Sequence, residues 1–143
     1  MTMIHAYTED QLVEQPAIGL FADLGWETVS AAEEVFGTAG TLGRMAKNEA
    51  VLVGKLRAAL EKLNPTLPPE AITSAIDELT RDRSAMSPAA ANREVHELLK
   101  NGIRVVVADT EPSPQPSPKG RGGQRIERVR VIDWENPLAN DFL

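Results

Sequence analysis

Apolar residues recur at helical spacing along most of this chain and switch to strict alternation near its end. Leu12, Ala17, Leu20, Phe21 and Leu24 fall on one side of a first helix. Leu52, Val53, Leu56, Ala59, Leu60 and Leu63 do so in a helix over Val51 to Leu63. Ala71, Ile72, Ala75, Ile76 and Leu79 form the stripe of the next, and Ala91, Val95, Leu98 and Leu99 that of the last. Such stripes are the mark of helices with one buried face. Ile103 to Asp109 is rich in β-branched residues and reads as a strand. Its unbroken Val105 to Val107 predicts cover on both faces. Around residue 130 the period becomes two: Val129 and Val131 point one way, Arg128 and Arg130 the other.

Local signals mark the ends of these elements. Thr8 and Gln11 bracket a helix start, with Glu9 and Asp10 at the positive end of its dipole. Pro16 should kink or restart that helix, and Gly25 should end it with Trp26 folding back. Asn64-Pro65 stops the second helix, Pro68-Pro69-Glu70 opens the third, and Ser87-Pro88 opens the fourth, which Gly102 ends. Glu27 to Val29 fits a short strand and Ala31 to Phe36 a helical turn. Gly37 to Gly43 reads as an open, flexible loop, and residues 112–123, rich in Pro, Ser and Gly, as a long flexible hairpin connection. Asp133 to Pro137 is a turn, and Asn140 to Leu143 begins a new element. The expected architecture is mixed α/β (α+β): several amphipathic helices followed by a partial β-sheet, in a single domain over residues 1–143.

Composition narrows the chemistry. Aromatics make up 4% of the chain, so Leu, Val, Ile and Ala must build the core. With no cysteine there is no disulfide scaffold, thiolate metal site or cysteine nucleophile, a composition that fits a cytosolic, cytoplasmic protein. No apolar run approaches the roughly 18 residues that span a membrane. His5 and His96 lack partners at metal or nucleophile spacing, and Gly37 to Gly43 lacks the Lys-Ser/Thr of a phosphate loop.

The net charge of −6 argues against a surface that grips nucleic acid everywhere. Residues 119–130 run the other way, with Lys119, Arg121, Arg125, Arg128 and Arg130 against Glu127 alone. This stretch is either a solvated loop and strand face or a local phosphate-facing patch. Metal-dependent nucleases need convergent carboxylates to hold Mg²⁺. No Asp or Glu here is followed two residues later by Lys, so the Glu-x-Lys of one widespread nuclease design is missing.

Several stretches, in order, resemble the amino-terminal region of the restriction (R, or HsdR) subunit of type I restriction–modification enzymes. They are Tyr7 to Ile18 (YTEDQLVEQPAI), Leu24-Gly25-Trp26, Leu56-Arg57 through Leu63-Asn64-Pro65, and Asn92-Arg93-Glu94 with Leu98 to Gly102. Val129 to Pro137 with Asn140 to Leu143 completes the set, and IDWENP followed by NDFL is its most specific part. The resemblance implies an incomplete restriction-endonuclease-like fold of the PD-(D/E)xK type. It also implies a longer subunit that uses Mg²⁺ and ATP, translocates DNA, and assembles with modification and specificity subunits. The family's catalytic Asp and Glu-x-Lys match no position here, so no catalytic residue is carried over. Glu14 is the one candidate for an accessory carboxylate beside the metal, set against a plain solvated helix residue.

Three functions are compatible with this sequence. The first is an amino-terminal fragment of a restriction subunit that is inactive alone. The second is a module that docks on DNA or on a partner subunit through Arg121, Arg125, Arg128 and Arg130. The third is a remnant reading frame with no role of its own.

Overall fold

The computed structural model describes residues 8–108 and 123–141. Among the described residues, four α-helices and a two-stranded antiparallel sheet give a mixed α+β fold. The chain divides into two compact units, Met1–Lys47 and Asn48–Leu143.

In the first unit, the Thr8 hydroxyl accepts from the Gln11 amide at 3.3 Å, as its capping position predicts. A π-helical turn, Asp10–Glu14, leads into helix α1, Gln15–Asp23. The cause is Pro16, which has no N–H to give and whose ring crowds the carbonyl four residues back. The amide of Gln15 instead reaches five residues back, to the Asp10 carbonyl, which widens the turn ahead of the ring. Helix α1 begins at Gln15, with Pro16 in its first turn. At its other end Gly25 takes φ 89°, its amide donates to Ala22 O and the Trp26 amide to Phe21 O. These two bonds satisfy carbonyls that the helix end would leave unpaired. The stripe expected to be buried is not: Leu12, Leu20 and Leu24 are exposed, and no residue of α1 is buried.

Beyond α1 the expected strand at Glu27 to Val29 is irregular, and the helical turn shrinks to one 3-10 turn, Ala31–Glu33. The glycine-rich stretch is closed rather than open. The Val35 amide donates to Thr41 Oγ1, Thr41 N to Val35 O, and Gly37 N to Arg44 O, at 2.8–3.0 Å. Gly40 is required there, because a Cβ would stand 2.0 Å from Val35 O.

The second unit holds helices α2 (Val53–Leu63), α3 (Pro69–Thr80) and α4 (Pro88–Asn101), then strands β1 (Ile103–Ala108) and β2 (Gln124–Val129). Ser87 Oγ caps α4 by accepting from Ala90 N. Helix α3 packs on α2 and across β1. The core joins Leu60 of α2, Ala71, Ile72, Ala75 and Ile76 of α3, Ile103, Val105, Val107 and Val129 of the sheet, and Val131 just beyond it. Helix α4 lies at its margin, with Leu98 and Leu99 half-buried and His96 exposed.

Strand β1 is covered on one face only, which corrects the expectation for Val105 to Val107. Burial alternates along it, and Val106 is 60% exposed. The outward positions that flank it, Arg104 and the small Ala108, lie outside the valine run.

The connection from α3 to α4 is built around Arg83, whose side chain is 8% exposed. Its guanidinium donates to the Glu78, Leu79 and Arg81 carbonyls and pairs with Glu78 and Glu94. It therefore closes the end of α3 and ties it to α4.

Two asparagines fix the segment after β2. Asn64, at the end of α2 and buried, accepts from Arg130 N at 2.7 Å and donates to Arg130 O at 2.8 Å. Asn140 does the same to Asp133, at 2.9 and 3.0 Å. Between them Asp133 Oδ1 accepts from Glu135 N and Asn136 N, forming the turn expected at Asp133 to Pro137.

Candidate nucleic-acid interface

Strands β1 and β2 pair antiparallel, with Ile103 opposite Val129, Arg104 opposite Arg128, Val106 opposite Ile126 and Val107 opposite Arg125. Side chains alternate across a strand, so register alone sorts the ribbon into two faces. One carries Ile103, Val105, Val107 and Val129 into the core. The other, toward solvent, carries Arg104, Val106, Ala108, Gln124, Ile126 and Arg128.

This sorting divides the candidate arginines. Arg128 and Arg130 share the parity of the solvent face, as the alternation around Val129 and Val131 predicts. Arg125 has the parity of the core face, at its outer end, and pairs with Glu127 at 2.8 Å. Arg130 pairs with Asp133 at 3.3 Å, and Arg128 donates to Asn101 O at the end of α4. Arg121 lies outside the described residues, as does nearly all of the 112–123 connection. Sequence reading missed Arg104. Its density signal was absent, because it stands alone among valines, and only the register sets it opposite Arg128.

Glu14 lies at the end of the π-helical turn, exposed. Among the described residues no group of three His, Cys, Asp or Glu could hold a metal ion. The residues described therefore do not fit the Mg²⁺ that nuclease chemistry requires. The carboxylate with the most buried side chain, Glu34 at 2% exposure, is committed elsewhere: both its oxygens accept from Arg44 at 2.6 Å. Those hydrogen bonds hold the Glu34 carboxyl below its usual pKa, and Arg44 also stacks over Phe36. Asp133 is likewise held low, first by the Asn136 amide, then by the Glu135 amide and Arg130. Both are structural anions. The glycine stretch after Glu34, in the first unit, gives its Gly37, Gly40 and Thr41 amides to carbonyls of the same loop.

Residues 6–143 match the model of the type I restriction enzyme R protein N terminus, and the chain belongs to that family. Among curated proteins it is similar to the type I restriction enzyme HindI endonuclease subunit of Haemophilus influenzae. The two are 29% identical over 131 residues, which cover 92% of this chain and 11% of that subunit. No solved structure matches.

Proposed function

We propose that this chain serves as the amino-terminal part of the restriction subunit of a type I restriction–modification system. That assembly cleaves DNA after ATP-driven translocation. Its partners are DNA and the modification and specificity subunits, and it works in the cytoplasm. The observation that carries the reading is the family match across residues 6–143. The chain spans 11% of the relative's length, which leaves ample polypeptide there for the groups that bind Mg²⁺ and ATP.

In this reading the 143-residue chain does not cleave DNA, and Glu14 supports a metal only beside carboxylates supplied from elsewhere. The arginines Arg121, Arg125, Arg128 and Arg130 meet phosphates or a partner subunit, with Arg128 and Arg130 on the parity of the solvent face. The experiment is supercoiled plasmid incubated with the purified chain and Mg²⁺, with and without ATP. Plasmid should stay supercoiled. Nicking that disappears in Glu14→Ala would show a complete active site and overturn the reading. A second arm reads the coding DNA downstream of Leu143, where a stretch encoding the missing Asp and Glu-x-Lys is expected.

A further inference from the structure

We propose that the solvent face of the β1–β2 ribbon is a duplex-DNA contact surface that lies in the major groove. This rests on the DNA-binding part of the function proposed above and assigns it a surface. Arg104 and Arg128 stand directly opposite one another, and Val106 and Ile126 form the next solvent-facing pair, 60% and 62% exposed. Gln124 follows, opposite Ala108. In a chain of net charge −6, the ribbon's solvent-facing positions include no carboxylate, with Glu78 and Glu97 lining the cleft beside Arg104 and Arg128; the ribbon's one acid, Glu127, has the other parity.

Two observations point to an anionic partner. Like charges directly opposed across a strand pair are destabilising, and an anion bridging them relieves the repulsion. Arg104 makes no hydrogen bond or ion pair with any other described residue, so its guanidinium is available. The choice of duplex DNA follows from shape and chemistry. A major groove about 12 Å wide admits a two-stranded ribbon with strands about 4.8 Å apart. The groove floor presents guanine O6 and N7 to arginine, adenine N6 and N7 to glutamine, and thymine methyl groups to apolar side chains. Arginine, glutamine and the valine–isoleucine pair match those three in turn. No helix or sheet partner among the described residues covers this face.

The test is fluorescence anisotropy of a labelled mixed-sequence duplex with the intact chain, titrated at several salt concentrations. Arg104→Ala with Arg128→Ala should weaken binding at least about tenfold and make the log–log salt slope shallower by about 2. Val106→Thr with Ile126→Thr should weaken binding without changing that slope. Arg93→Ala, on α4 and outside the ribbon, should bind nearly as the parent does. A duplex with 7-deazaguanine, which lacks the N7 acceptor, should bind the unmodified chain more weakly; equal binding overturns the groove assignment without any variant. Binding that survives the double arginine change sinks the ribbon surface and leaves DNA binding to other residues. No binding at low salt sinks both, while the restriction-subunit reading still stands on its own cleavage and downstream-sequence arms. Sedimentation equilibrium supplies the last arm: a dimer dissolved by the Val106 and Ile126 changes would assign the face to a second copy and overturn the proposal.

Discussion

Asn64 pairs with both main-chain groups of Arg130, a residue 66 positions away, as a neighbouring strand would. Its remaining amide hydrogen goes to Leu60 O at 2.8 Å, so the buried carboxamide uses both of its donors and its acceptor. Asn64→Ala leaves the Arg130 amide and carbonyl without partners, at a cost of about 1–3 kcal/mol. Asn64→Asp loses both donors and sets a charge against two carbonyls, so it should be at least as damaging. Urea denaturation followed by circular dichroism measures both; a midpoint within error of the parent for Asn64→Ala would show that the pairing contributes nothing.

Gly102 and Gly25 both end helices with positive φ, at 76° and 89°, but their surroundings differ. A Cβ on Gly102 would lie 2.7 Å from Val129 O, whereas one on Gly25 meets open space. Gly25→Ala should cost about 1–2 kcal/mol at most, the backbone term alone. Gly102→Ala carries a backbone clash as well and should lower the thermal midpoint further. Equal losses from the two would remove the steric argument.

Arg83 gathers three carbonyls and two carboxylates at the α3–α4 connection. Arg83→Met keeps much of the apolar stem but strands those acceptors, for a loss of about 1.5–3 kcal/mol. Arg81 also pairs with Glu78 and Glu94 from a more exposed position, so Arg81→Met should cost under about 1 kcal/mol. The order of the two denaturation midpoints is the measurement, and Arg81 as the larger would contradict the structure.

Acid should loosen the turn after β2. Asp133 has a folded-state pKa below its ordinary value, so the carboxylate stabilises the fold fully above that ordinary value of about 4. The contribution falls away as pH drops through the lowered folded value. Asp133→Asn removes this dependence, so parent and variant stability curves should converge as pH is taken down from neutral toward 3. A constant difference across that range would count against it.

Much of the fold was readable because its signals are local. The caps at Thr8 and Ser87, the stop at Gly102 and the stripes of α2 and α3 depend on neighbours within a few residues. What escaped depends on pairing at a distance. Nothing adjacent to Asn64 announces Arg130, and no local feature tells that Arg104 faces Arg128. The two-sided cover expected for Val105 to Val107 came from judging a run of three without the residues that flank it. For the candidate site, charge density drew attention to residues 119–130, yet counting in twos from Val129 already places Arg125 and Glu127 together, away from Arg128. The apolar stripe of α1 was legible as a pattern; burial requires something to lie against it, which no pattern supplies.

The Asn64 and Asn140 clamps address peptide groups, not side chains. Position 130 can therefore exchange its arginine for almost any residue other than proline without loosening the joint, since proline alone withdraws the N–H that Asn64 engages. Scaffold and surface are decoupled there: the path of the polypeptide is set from behind, and the outward group is free to be chosen by whatever it meets.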